Sequence, residues 1–104
     1  MKEKTFIKYI GDYRVHDGVV QDISQKDGTA IVVIRSIEQE DVIIEFHRVK
    51  EIRDIQSKGM MLYSLSEMSG EEPYRHFIFT NWDERSNASL EVIAMDITYN
   101  GGTQ

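Results

Sequence analysis

The fold is decided by one stretch of the chain, Val19-Val20-Gln21-Asp22-Ile23-Ser24-Gln25-Lys26-Asp27-Gly28-Thr29-Ala30-Ile31-Val32-Val33-Ile34. Asp27-Gly28 lies between two runs rich in β-branched residues, and this dipeptide favours a tight turn because glycine adopts a positive φ at little cost. The stretch therefore predicts a β-hairpin. Its second half, Ala30–Ile34, is apolar at every position, which is typical of a central strand covered on both sides or of a strand inside a barrel or sandwich.

Further strands are predicted on the C-terminal side of this hairpin. Val42, Ile44 and Phe46 alternate with other residues, so they share one face of a strand. The turn residues 69–73 separate two more strands, and Phe77 and Phe79 share a face of the second one. The last strand, Ser89 to Tyr99, is the longest alternation. Its expected faces are Leu90, Val92 and Ala94 on one side, and Ile93, Met95, Ile97 and Tyr99 on the other.

Several segments fit two structures. Residues 6–13 have apolar residues at helical spacing, but an extended segment fits them almost as well. The apolar residues between 46 and 55 recur every three positions, which suits either helical turns on the sheet or an irregular strand. Residues 60–68 also fit both, and the turn cluster after them favours a strand. We expect the tail, residues 100–104, to fray.

Together these patterns predict a single domain, residues 1–104, that is mainly β. Six strands joined by short turns favour one antiparallel sheet curled into a sandwich or a partly open barrel, with one short helix as an option. The alternative is an α+β fold in which residues 47–57 or 60–68 are helical. The length of 104 residues and a hydrophobic content of 40% fit one globular core.

The charge of the chain limits its partners. The formal net charge is −6, and no cluster of Lys and Arg is present that could bind a phosphate backbone or an anionic lipid surface. The longest apolar run, Ala30–Ile34, is far shorter than the roughly 20 residues of a membrane helix. We therefore expect no nucleic-acid and no membrane partner. Because residues 1–7 lack the apolar region of a signal peptide, we expect a cytoplasmic location.

Motifs of catalysis are missing from the sequence. The absence of cysteine excludes thiolate zinc sites and cysteine nucleophiles, and no Gly-x-Ser-x-Gly or glycine-rich phosphate loop occurs. His16, His47 and His76 lie in different segments without metal-ligand spacing, so we expect them to stay apart. We accordingly expect no catalytic residues, no cofactor and no metal, and a protein that is not an enzyme.

The pair His16-Asp17 resembles the centre of a metal-dependent phosphohydrolase family by two residues only. That family is all-helical, whereas this pair runs into Gly18 and a predicted strand. A turn explains it better, with the Asp17 carboxylate accepting backbone N–H groups before the strand begins.

Two polar loops are the candidate contact sites. Trp82 lies in a polar loop, where a tryptophan either anchors a protein interface or folds back to cover one end of the sheet. The candidate protein-binding residues are Trp82, Asp83 and Glu84, with Glu38, Glu40 and Asp41 as a second acidic loop. Paired carboxylates in turns are ordinarily solvated, so we assign them no acid–base chemistry.

The order of three segments resembles small bacterial β-rich domains, some of which are associated with toxin-immunity loci. The segments are His16-Asp17-Gly18, residues 43–52 and residues 90–97. The resemblance implies a non-enzymatic protein that binds another protein, as an immunity-type inhibitor of a basic toxin would, and an acidic inhibitor gains association rate from its charge. Two alternatives remain open: a small-molecule-binding barrel in which the histidines converge, and a self-associating structural domain that forms a homo-oligomer through unpaired strand edges.

Overall fold

A computed structural model describes residues 5–104, and every structural statement below refers to that range. These residues form eight β-strands and no α-helix, so the α+β alternative is wrong. The strands are β1 (Phe6–Tyr9), β2 (Val19–Lys26), β3 (Thr29–Arg35), β4 (Asp41–Ile55), β5 (Leu62–Met68), β6 (Arg75–Asn81), β7 (Ser89–Tyr99) and β8 (Gly102–Thr103).

All strands belong to one antiparallel sheet with the order β1-β5-β6-β7-β4-β3-β2, and β8 pairs with β7 beside this path. The sheet curls until its two sides touch at one place. There Val19 forms an isolated bridge with Met61, and the Val20 amide donates to the carbonyl of Met60 at 3.0 Å. The sheet does not close further. The prediction of a single curled antiparallel sheet is thus confirmed.

The hairpin that the sequence predicts is present between β2 and β3. Lys26 pairs with Thr29, and both residues between them have positive φ, 52° at Asp27 and 80° at Gly28. These two left-handed residues match the twist of the flanking strands, as in other two-residue hairpins. The predicted hairpin between β5 and β6 is also confirmed, with Met68 paired to His76.

The core lies on the inner face of the curled sheet and draws on alternate residues of most strands. Three phenylalanines form its centre, with the ring centroids of Phe46 and Phe77 at 5.3 Å and those of Phe46 and Phe79 at 5.9 Å. The largest fully buried side chains are Phe46, Phe77, Phe79, Ile34, Ile44, Leu62, Leu65, Leu90, Ile97, Val20, Val32 and Val42. The predicted inward faces of residues 42–46 and 77–79 are therefore confirmed.

On β3 and β4 the structure decides between the alternatives that the sequence left open. Only one side of β3 is fully covered: Val32 is buried, whereas Ile31 and Val33 are half-buried, because a single sheet has no layer on its outer face. Residues 47–55 are not helical, since β4 continues through them and pairs with β7 as far as Ile55. The positive φ of 53° at Arg48 gives this strand its irregularity.

The second predicted face of β7 is wrong, because Ile93 and Met95 are only half-buried whereas Ile97 and Tyr99 belong to the core. Leu90, Val92 and Ala94 are buried, but Ile97 and Tyr99 are buried as well, because the inward alternation shifts by one residue between Ala94 and Ile97. Strand β4 shifts in the same way opposite this point, where Phe46 and Val49 face Ile97 and Ala94. Because the alternation of both strands shifts at the same point, strict alternation did not predict which of their residues face the core.

The first and the last segments of the described range both form strands. Phe6–Tyr9 is an edge strand, so the helical alternative for residues 6–13 is wrong. The tail does not fray as predicted, because Asn100 and Gly101 form a turn with positive φ that returns Gly102–Thr103 to β7. Arg75 also donates to the carbonyl of Gln104 at 3.0 Å.

Candidate functional site

The candidate site lies beside the edge of β5 that pairs with β1. The segment between β1 and β2 continues along this edge: the Ile10 amide donates to the carbonyl of Leu65, and the Asp17 amide to that of Leu62, both at 2.9 Å. Residues 11–16 form a loop between these two bonds, which we call the bulge, and its Val15 side chain is buried in the core. Because Leu62 points into the core, its neighbours Met61 and Tyr63 point outward, towards the bulge.

Trp82 is fixed at this place by two hydrogen bonds. Its indole Nε1 donates to Oδ1 of Asp17 at 2.7 Å, and its amide donates to the carbonyl of Met61 at 3.0 Å. The expected bonds from backbone N–H groups to the Asp17 carboxylate are therefore replaced by a bond from a side chain 65 residues away. The turn itself is present, with Asp17 at a φ of 67°.

Three aromatic rings pack against one another on the surface. The ring centroids of Tyr63 and Trp82 lie 5.0 Å apart in an edge-to-face arrangement, and the His16 ring lies 5.5 Å from Tyr63 and 5.4 Å from Trp82. Met61, Tyr63 and Trp82 remain 48%, 46% and 44% exposed, so Trp82 does not enter the core. We call the surface formed by His16, Asp17, Met61, Tyr63 and Trp82 the Trp82 face.

Two shallow depressions adjoin the Trp82 face. One of about 460 Å³ is lined by Met61, Trp82 and Asp83 among others, and a second of about 460 Å³ by Asp17, Ile37 and Met61. Asp83 is the one predicted contact residue besides Trp82 that lines them, and Ile37 directly precedes the second acidic loop in the chain. A third depression, of about 470 Å³, adjoins His16 and Tyr63 on the other side.

The six predicted contact residues differ in how their charges are used. Asp41 pairs with Arg35 at 3.1 Å, Glu40 lies 3.7 Å from Arg14, and Asp83 lies 3.9 Å from Arg85 while its Oδ1 accepts the Arg85 amide. Glu38 and Glu84 are exposed and form no ion pair with another described residue. These two glutamates therefore keep negative charges that no described cation pairs with, while Lys58 contributes one positive charge in the depression that Trp82 lines.

The tautomer of His16 follows from its hydrogen bond. Nδ1 lies 2.9 Å from the carbonyl oxygen of Tyr63, which can only accept, so Nδ1 carries the proton. In the neutral ring, Nε2 then presents a lone pair, and it lies 3.8 Å from Oδ1 of Asp17. The side chain of Asp17 is 37% exposed. The face thus places two hydrogen-bond acceptors beside exposed aromatic rings.

A polar network holds the bulge that carries His16 and Asp17. The Arg14 guanidinium bonds both carboxylate oxygens of Asp12, and the Tyr99 hydroxyl donates to Oδ1 of Asp12 at 2.7 Å. The bonds from Arg14, helped by that from Tyr99, hold the pKa of Asp12 well below its usual range despite some burial. Burial, together with the bond to Asp12, raises the pKa of Tyr99 to about 12.

The three histidines do not converge. His16 belongs to the Trp82 face, His47 Nε2 lies 3.2 Å from the hydroxyl of Thr98, and the buried His76 lies 3.0 Å from Glu91. No group of three or more His, Cys, Asp or Glu residues within 5–104 could hold a metal ion. The small-molecule alternative therefore has no shared histidine site.

Sequence reasoning found Trp82 and the acidic loops but missed His16, Met61 and Tyr63 as parts of the site, and it treated Asp17 as a turn residue. Local sequence contains one signal that could have found two of them: Met61 and Tyr63 are large apolar residues at outward positions of a strand whose inward positions are Leu62 and Leu65. Nothing in the sequence links Asp17 to Trp82.

No protein-family model, curated protein or solved structure matches this chain. Within the part of the chain that the structure describes, no helix is long and apolar enough to cross a membrane.

Proposed function

We propose that this chain is a non-enzymatic, cytoplasmic protein-binding domain that engages a basic protein through the Trp82 face. One observation supports this above the others: three large side chains, Met61, Tyr63 and Trp82, are each more than two-fifths exposed on one surface. Exposed aromatic and methionine residues surrounded by polar groups are the composition of protein interfaces, and a fixed tryptophan is a common binding hot spot.

The acidic charge supports a basic partner. Two of the predicted contact residues, Glu38 and Glu84, form no ion pair among the described residues, and the whole chain has a net charge of −6. Opposite potentials speed encounter and weaken as salt rises. In its finer form, the proposal is that of an immunity-type inhibitor of a basic toxin, which is the function that the resemblance to small β-rich bacterial domains implies.

The test uses the chain as bait in a lysate of its native host, beside two matched variants. Met61→Ala removes an apolar side chain at the centre of the face, and Ile43→Ala removes one of similar exposure on the outer side of β4. We expect wild type and Ile43→Ala to retain the same basic protein, Met61→Ala to lose it, and high salt to weaken it. Retention of that protein by both variants alike would contradict the proposal. Stoichiometric inhibition of the purified partner would establish the finer form.

A second candidate function, self-association, rests on the edge strand β1. Phe6, Ile7 and Tyr9 are all about half-exposed or more, and no described strand pairs with the outer side of β1. Such an edge is a template for pairing with another strand. We expect a concentration-dependent rise in mass by light scattering if β1 pairs with a second copy, and its loss in Ile7→Lys but not in Ile43→Lys. A constant monomeric mass would remove this candidate.

A further inference from the structure

We infer that the Trp82 face recognises a guanidinium group, and that Asp17 and the aromatic rings together form a receptor for an arginine side chain of the partner. This inference rests on the proposed function and names the side chain that the partner supplies. It starts from the acceptors that the face presents rather than from its overall charge.

The Asp17 carboxylate leaves one hydrogen-bond acceptor free at the centre of the face. Oδ1 of Asp17 already receives the Trp82 indole N–H, which fixes the carboxylate, and Oδ2 forms no hydrogen bond or ion pair with a described residue. Nε2 of His16 lies 3.8 Å from Oδ1. A guanidinium can donate to Oδ2 and oppose its charge, whereas a carboxylate or a phosphate would be repelled by it.

The aromatic rings favour arginine over lysine. Tyr63 and Trp82 are rigidly packed edge to face and are both more than two-fifths exposed. A guanidinium is planar, has five N–H donors and no acceptor, and is weakly hydrated, so it stacks on aromatic rings while bonding a carboxylate. An ammonium keeps a compact and strongly bound hydration shell. Attraction between a cation and the indole ring adds to the preference, since tryptophan is the strongest aromatic partner for cations.

The chain contains a single tryptophan, so one indole N–H signal in an NMR spectrum reports on this site alone. The probes are three acetylated pentapeptides, Gly-X-Gly-X-Gly, in which X is arginine, lysine or citrulline. Citrulline keeps the shape of arginine without its charge. At low salt we expect the arginine peptide to move the Trp82 signal saturably, the lysine peptide to bind more weakly, and the citrulline peptide to bind least.

Asp17→Asn is the decisive variant. Asparagine tolerates the positive φ at this position and keeps an acceptor for the indole N–H, so the fold is preserved. Asp22→Asn is the control, because it changes the net charge equally at an exposed site on β2. We expect Asp17→Asn to weaken arginine binding about tenfold, as removal of one charge-assisted hydrogen bond does at an exposed site. The control should stay within about twofold of wild type.

The outcomes separate this inference from the proposed function. If the two variants bind the arginine peptide equally, or if citrulline binds as well as arginine, the guanidinium receptor is refuted, even where a basic protein is still retained from lysate. If the arginine peptide binds as expected but Met61→Ala and Ile43→Ala retain the same proteins, the receptor stands and the proposed function fails.

Discussion

Replacing Tyr99 by phenylalanine tests how the bulge at residues 11–16 is held. Tyr99 is 7% exposed, and its hydroxyl donates to Oδ1 of Asp12 at 2.7 Å. The ring packs beneath the bulge, where a Cβ atom at Gly11 would lie 2.5 Å from it. Phenylalanine keeps this packing and removes only the hydroxyl, so the change isolates one hydrogen bond to a charged acceptor.

The expected loss follows from the exposure of the acceptor. Hydrogen bonds to charged groups contribute about 1.5–3 kcal/mol, and the lower end applies here because Asp12 is partly exposed and stays bonded to Arg14 after the change. We therefore expect Tyr99→Phe to lower the free energy of unfolding by about 1.5 kcal/mol. Urea unfolding at pH 7, followed by the fluorescence of Trp82 and by circular dichroism, measures this loss. Tyr13→Phe, at an exposed tyrosine of the same segment, should change almost nothing.

The pH dependence of stability tests the hydrogen bond of the Tyr99 hydroxyl in a second, independent way. The folded state raises the pKa of Tyr99 from 10.0 to about 12, so it holds the hydroxyl proton more tightly than the unfolded chain does. The associated stability is fully present below pH 10 and is lost as the pH rises towards 12. The difference in stability between wild type and Tyr99→Phe should therefore shrink above pH 10. A difference below about 0.3 kcal/mol at pH 7, or one that does not change at high pH, would refute the reasoning.

Three further predictions use the same unfolding assay. Gly11→Ala should destabilise the protein by about 2–3 kcal/mol, more than Tyr99→Phe does, because the φ of Gly11 is +87° and the new Cβ meets the Tyr99 ring. Gly28→Ala is the control and should cost less, because its Cβ has open space and only the backbone is strained. Phe77→Ala, at a side chain with no exposure, should lower the free energy of unfolding by about 3–5 kcal/mol; a loss under 1 kcal/mol would mean that the core is not where the structure has it. Because the pKa of Asp12 is lowered in the folded state, wild type should exceed Asp12→Asn in stability above pH 4, and this excess should vanish as the pH falls further.

The strands were predictable where local sequence and tertiary pairing agree. Asp27-Gly28 gives a turn by its own backbone preference, so the hairpin of β2 and β3 could be found without knowing its surroundings. Residues 47–55 show the opposite case. Their apolar spacing suits a helix or an irregular strand, and the pairing with β7, which continues as far as Ile55, decides for the strand.

The candidate site was predictable only in part, because its contacts join distant parts of the chain. Trp82 could be predicted as a candidate because it is a tryptophan among polar residues. Its position, however, depends on Asp17, 65 residues earlier, and on the curl that brings Val19 to Met61. The acidic loops were found from composition alone. Their partial neutralisation by Arg35 and Arg85 depends on side-chain placement, which composition does not determine.

One apolar residue of the Trp82 face lacks a partner within the sheet. Val33 and Ile43, which also point outward, are β-branched and lie directly opposite each other, where they cover one another. Met61 likewise lies opposite a β-branched residue, Val19, at the isolated bridge. Tyr63 falls at an irregularity in the pairing of β5 with β6, has no partner on β6 and remains 46% exposed. An exposed aromatic residue without a cross-strand partner departs from the local pattern of the sheet, and this departure supports the proposal that the Trp82 face contacts another molecule.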